Sequence, residues 1–181
     1  VMVNVAGDFK GHNFLAGAAY QYNKDNIFKA ELHSNDAAPN FNFLLYQSDY
    51  LNYNWQNNFN NTSTQSLNLQ LDSKDLLVLD AEITRIKNYA YFSSDDNGSV
   101  KPFQYDGEIS YLKIKASKEF SYGKFALDNT LMYQKVLSGE TYLNVPAFTT
   151  RNSLYYKEYL FQRALYLQTG FTLKYFTSYN M

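Results

Sequence analysis

The residues able to do chemistry in this sequence are few, and their spacing does not favour it. There are two histidines, His12 and His33, and no cysteine. A zinc-type ion needs several His, Cys or carboxylate ligands at matching spacing, and neither histidine has such a set around it. Glu31 and His33 share one face of a strand, which polarity at a rim explains. A serine nucleophile needs a histidine base and an orienting acid, and no Gly-x-Ser-x-Gly elbow is present. Asp80 and Glu82 are the best carboxylate pair for glycoside hydrolysis. Two residues apart on a strand, they stand ~7 Å apart on one face, and with Thr84 they suit a wet wall better than an acid–base pair. The expectation is a protein with no catalytic residue, no metal site and no cofactor.

The polar residues make sense through the elements that must carry them. Strict two-residue alternation recurs along the chain, the mark of strands with one apolar and one polar face. Leu67, Leu69 and Leu71 alternate with Ser66, Asn68, Gln70 and Asp72. Leu51, Tyr53 and Trp55 alternate with Asn52, Asn54 and Gln56. Leu77, Leu79, Ala81 and Ile83 alternate with Asp80, Glu82 and Thr84; Phe125, Leu127, Leu131 and Tyr133 with Asp128, Thr130 and Gln134; Leu165, Leu167, Phe171, Leu173 and Tyr175 with Gln168, Thr172 and Lys174. The turn clusters between runs are residues 23–26, 34–40, 73–75, 93–98 and 137–140, rich in Gly, Asn, Asp and Ser, which tolerate positive φ or bond their own backbone.

The runs predict about ten or eleven strands of roughly 8 to 16 residues, against a mode of ~5–6 in soluble sheets. A tilted strand crosses a membrane's hydrocarbon core in ~9–11 residues, so the expected fold is all-β: an antiparallel transmembrane β-barrel, this segment supplying roughly ten strands of a larger even-numbered barrel. The 18 Tyr and 14 Phe against 3 Pro are strand chemistry. A mean hydropathy of −0.45 does not oppose a barrel, because lipid-facing and lumen-facing residues cancel in any window. No run approaches the ~18 apolar residues of a spanning helix. With 16 Lys and Arg against 17 Asp and Glu and no basic block, nucleic acid is not an expected partner.

On this reading the polar faces line a lumen, with Asn52, Asn54, Gln56, Asn68, Gln70, Asp80, Glu82, Glu108, Ser110, Asp128, Thr130, Gln134, Gln168, Thr172 and Lys174 as its wall, amide-rich and mildly acidic. Tyr89, Tyr91, Phe92, Tyr155, Tyr159, Tyr175 and Phe176 are expected at the headgroup level as an aromatic girdle. Arg85, Lys113 and Lys115 share parity with apolar residues and are expected to snorkel from strand ends.

Three segments stand out as Tyr- and Phe-rich strands carrying amides: Trp55-Gln56-Asn57-Asn58-Phe59, then Ile86-Lys87-Asn88-Tyr89-Ala90-Tyr91-Phe92, then Leu165-Tyr166-Leu167-Gln168-Thr169-Gly170 leading into Lys174-Tyr175-Phe176-Thr177-Ser178-Tyr179. Between the last two lie Leu127-Asp128-Asn129-Thr130 with Tyr133-Gln134-Lys135, and Val145-Pro146 before Ser153-Leu154-Tyr155-Tyr156. In these segments and their order the chain, from about Leu51 onward, resembles the putative-porin family of the Bacteroidota. The resemblance implies an outer-membrane barrel without catalytic residues whose chain continues past the Tyr175-Phe176-Thr177 strand. Residues 1–181 are thus expected to be the C-terminal part of a single barrel domain, a fragment with signal peptide and closing strand absent.

The expected function is passive diffusion of small hydrophilic solutes, neutral or cationic, through a hydrated lumen of the cell outer membrane. The partner expected first is outer-membrane lipid. The alternative is a plugged barrel serving as a structural subunit, with partner proteins in an outer-membrane complex. A third is a soluble glycan-binding β-protein, whose aromatics would gather on one concave sheet.

Overall fold

Alternating sequences of this kind bury one face of a strand, and the computed structural model of the chain, which describes residues 2–4 and 10–179, builds them into one large antiparallel sheet. Nine strands follow one another in it: β1 (Met2–Asn4), β2 (Gly11–Gln21), β3 (Asn26–Ala37), β6 (Thr62–Ser73), β7 (Val78–Ser94), β8 (Val100–Tyr122), β9 (Phe125–Ser138), β10 (Phe148–Leu160) and β11 (Leu165–Phe176). Apart from the intervening β4 (Leu45–Tyr46) and β5 (Trp55–Gln56), which pair with each other, sequence order is sheet order. The one helix among the described residues, α1 (Phe41–Leu44), is a single turn held by the Asn40 side chain accepting from the Asn42 amide. The sheet is open, with β1 and β11 at its edges.

The connections differ at the two ends. At one end the turns are tight: residues 22–25, 74–77, 123–124 and 161–164. At the other lie the long connection between Ala37 and Thr62, the loop between Ser94 and Val100, and residues 139–147. The 23-residue β8 and 17-residue β7 run furthest toward the long-loop end. A register shift interrupts their pairing there at Asn88, which takes φ 55°. Asparagine tolerates that left-handed backbone, and its neighbours fix it: Asn88 Nδ2 donates to the Asn61 carbonyl at 2.9 Å, while its own carbonyl accepts from Thr62 Oγ1 and Gln104 Nε2.

Register decides which residues share a face, because directly opposed residues point the same way. One apolar row crosses eight strands: Tyr20, Phe28, Leu71, Leu79, Ala116, Leu131, Thr150 and Tyr175. The rows beside it contain Ala18, Ala30, Leu69, Ala81, Ile114 and Tyr133, then Leu32, Leu67, Ile83 and Leu112. This face has no second layer among the described residues. Among the described residues the buried aliphatic side chains are those of Ala90, Ile109 and Ala126, while Phe171 and Leu173 are 69% and 62% exposed. Left in water, each large side chain forgoes about 1.5–3 kcal/mol of burial, so a sheet so open in aqueous surroundings would lack its main source of stability.

Two expectations are corrected here. The Leu51–Gln56 alternation is not a wall strand; residues 51–53 are turn and bend, and only Trp55–Gln56 pairs, with Leu45–Tyr46. The 34–40 cluster is not a turn throughout, since β3 continues to Ala37 through ladder bonds to Thr62–Ser66.

Candidate functional site

The face opposite the apolar rows is polar, and its rows can be traced through the same register. Gly17, Glu31, Asn68, Glu82, Lys113 and Gln134 form one row. The next is Ala19, Lys29, Gln70, Asp80, Lys115, Met132, Thr149 and Phe176. Beyond it come Ser117, Thr130, Arg151 and Lys174, then Glu119, Asp128, Ser153 and Thr172. Of the residues expected together on a wet wall, Asn68, Gln70, Asp80, Glu82, Asp128, Thr130, Gln134, Gln168, Thr172 and Lys174 do share this face.

The exceptions have physical reasons. Asn52, Asn54 and Gln56 lie in the connection between β3 and β6, where Asn54 organises the loop by accepting from the Ser48 amide and donating to the Tyr50 carbonyl, both at 2.7 Å. Glu108 and Ser110 stand on the apolar face, opposite Lys87 and Arg85, and Glu108 pairs with both cations at 3.8–3.9 Å. Lys113 and Lys115 stand on the polar face, so their expected apolar parity is reversed. The segment Ile109-Ser110-Tyr111-Leu112-Lys113-Ile114-Lys115 has apolar residues at both parities. Only its partners on β7 and β9 fix the choice, bringing Leu112 to Ile83 and Lys113 to Glu82.

The polar face is knitted by its own contacts. Asn68 Nδ2 donates to Asp80 Oδ2 at 2.9 Å, Thr84 Oγ1 to Glu82 Oε1 at 3.4 Å, and Lys113 Nζ pairs with Glu82. Lys157 reaches Glu119 at 3.1 Å, which also accepts from the Tyr155 hydroxyl. The Ser153 and Thr172 hydroxyls meet at 2.8 Å. Its charges are segregated, which the expectation of a mildly acidic wall did not foresee. Strands β3, β6 and β7 bear Glu31, Asp72, Asp80 and Glu82 against Lys29, while β8 to β11 bear Lys113, Lys115, Arg151, Lys157 and Lys174 against Glu119 and Asp128. Arg151 escaped sequence reading because Thr149-Thr150 and Tyr155-Tyr156 flank it with like residues at both parities, leaving β10 without a legible face.

The aromatics expected as a girdle divide. Tyr89 and Tyr91 stack with each other, and Tyr91 joins Phe103 and Tyr142, while Tyr142 lies 3.9 Å from Tyr105 between ring centroids. Phe92 packs instead on Phe43 and Trp55. These three aromatics therefore clasp two loops around the β7–β8 extension. Tyr155 lies on the polar face opposite Ala126 and Gly170. Tyr159 meets Tyr166 at the tight-turn end, and Tyr175 and Phe176 end β11 at the other. The 139–147 loop bends over the polar face: Gln134 Nε2 donates to the Pro146 carbonyl at 3.2 Å, and Gly139 packs on fully buried Ile109.

Outside the strands, Asp95 anchors the β7–β8 loop. Lys101 pairs with its carboxylate at 2.7 Å and the Asn97 and Ser99 amides donate to it at 2.9 Å, so its pKa is held below the ordinary 3.8, the lysine hydrogen bond contributing most.

A comparison with curated proteins finds no match. A family model described as a putative porin matches residues 1–181, the whole sequence, and the chain belongs to that family.

Proposed function

We propose that the chain forms part of the wall of an outer-membrane β-barrel of the Bacteroidota type, a non-enzymatic pore through which small hydrophilic solutes diffuse. The observation that carries the reading is the charge-bounded stretch on the apolar face of β8. On the apolar face of β8, Glu108 and Lys118 enclose Ser110, Leu112, Ile114 and Ala116. That separation is about 33 Å along a strand at ~3.3 Å per residue, which at the ~45° tilt of a spanning strand gives about 23 Å, close to the ~25 Å apolar band of outer-membrane barrels. Tight turns at one end and longer connections at the other support it, since such barrels have short periplasmic turns and longer outer loops. Lipid would take the place of the missing second layer. The polar rows from Asn68 to Lys174 would then face the lumen, and Tyr159, Tyr166, Tyr175 and Phe176 would lie near the two interfaces.

A second reading is favoured by the 139–147 loop, which leans over the polar face; more of the same covering would make a plugged barrel serving as a structural subunit. Single-channel conductance of the full-length protein in a planar bilayer separates the two. Stepwise ohmic openings are expected. A folded, heat-modifiable barrel that never conducts would favour the subunit, and a protein soluble without detergent would end the membrane reading.

A further inference from the structure

Two successive rows of the polar face build an open hollow of about 540 Å³ over β8 to β11. Its floor is apolar for a polar wall: Met132, Thr149 and Phe176 lie side by side in one row. Lys115 continues that row on β8, and Arg151 and Lys174 stand directly opposite each other in the next, all three lining the hollow. The cations are conspicuous for what they do not touch. Lys113 and Lys157 on the same face have carboxylate partners, whereas none of Lys115, Arg151 and Lys174 enters an ion pair among the described residues. Asp80, across from Lys115, is turned to the Asn68 amide. Like charges directly opposed on neighbouring strands repel. A stable sheet that keeps such a pair gains if an anion neutralises it, and Arg supplies the planar fork that matches a carboxylate.

We propose that this hollow is a binding site for small organic carboxylates, the carboxylate held between Arg151, Lys174 and Lys115 and the apolar body resting on Met132, Thr149 and Phe176. The volume is of the size that small-molecule sites use, ~300–1,000 Å³. The inference rests on the lumen reading only for its consequence, that carboxylates would be drawn into the passage and slow the flow of smaller ions.

The test uses the full-length protein in detergent with 4-fluorobenzoate as probe, its binding followed by ¹⁹F line broadening. Wild-type protein is expected to bind it at millimolar or lower concentration. The pair R151Q/K174Q should weaken binding at least tenfold, K174Q alone should weaken it less, and K157Q, whose lysine is already paired, should leave it unchanged. Heat-modifiability on gels reports whether each variant folds. No broadening with wild type, or equal broadening with folded R151Q/K174Q or K174Q, overturns the site. Conductance in the same preparation separates this from the pore: binding without any channel leaves the site standing and removes the lumen, and channels from a protein that does not broaden the probe remove the site alone.

Discussion

Ile114 is the position at which the membrane reading is most exposed to refutation. It lies on the apolar face of β8 near the middle of the band between Glu108 and Lys118, with Ala81 and Tyr133 opposite it. In Ile114→Arg the guanidinium would sit about 13 Å along the strand from Lys118 and about 20 Å from Glu108 at ~3.3 Å per residue, too far for its stem to bring it fully to either headgroup layer. An arginine at the lipid midplane costs about 2–4 kcal/mol. With each 1.4 kcal/mol worth tenfold, that is a loss of about 30- to 700-fold in the folding equilibrium. In water the same change at a half-exposed surface position is within about 0.5 kcal/mol of neutral. The assay is urea unfolding in lipid vesicles, read by gel mobility, with Gln134→Arg on the polar face as its partner. A lipid-facing Ile114 predicts a large loss for I114R and a small one for Q134R. Equal effects, or a cost below about 0.5 kcal/mol for I114R, would refute it.

The left-handed turns offer a reciprocal test of backbone strain. Gly123 has φ 60° with nothing near its missing Cβ, so Gly123→Ala should cost about 1 kcal/mol in unfolding, and Arg163→Gly at φ 73° should gain a similar amount, since a Cβ is penalised there. Tyr142→Ala removes ring contacts with Tyr105 and Tyr91, each aromatic pair worth about 0.5–1.5 kcal/mol; faster amide exchange over 139–147 and a larger conductance are expected. Because the Asp95 pKa is depressed in the folded chain, its contribution is present above the ordinary 3.8 and is lost as pH falls through the lower folded value. Protection of the Asn97 and Ser99 amides should therefore persist as pH falls to about 4 and fade below, while Asp95→Asn should lower it near neutral pH, and a wild-type loss already between pH 5 and 6 would contradict the assignment.

How much of this was legible in the sequence depended on the local pattern. The strands with one unambiguous apolar parity, such as Leu67-Leu69-Leu71 and Leu165 to Tyr175, announced both their existence and their face. The two-residue period fixes direction without any tertiary information, so Asn68, Gln70, Asp80, Glu82, Asp128 and Lys174 were placed on one side from spacing alone. The sequence could not say which face Lys113 or Arg151 takes, because apolar residues occupy both parities around them, and a slip of one residue inverts every side chain. Ladder pairing with β7, β9 and β11 decided that. Nor could it tell a wall strand from a loop at Leu51–Gln56, where alternation is present but the Trp55 ring is drawn to Phe92 and its Nε1 donates to the Asn42 carbonyl at 2.9 Å. Charge segregation and the hollow with three unpaired cations belong entirely to the tertiary structure. Both depend on the ladder register between neighbouring strands, which sets the residues of separate strands side by side and which no local window contains.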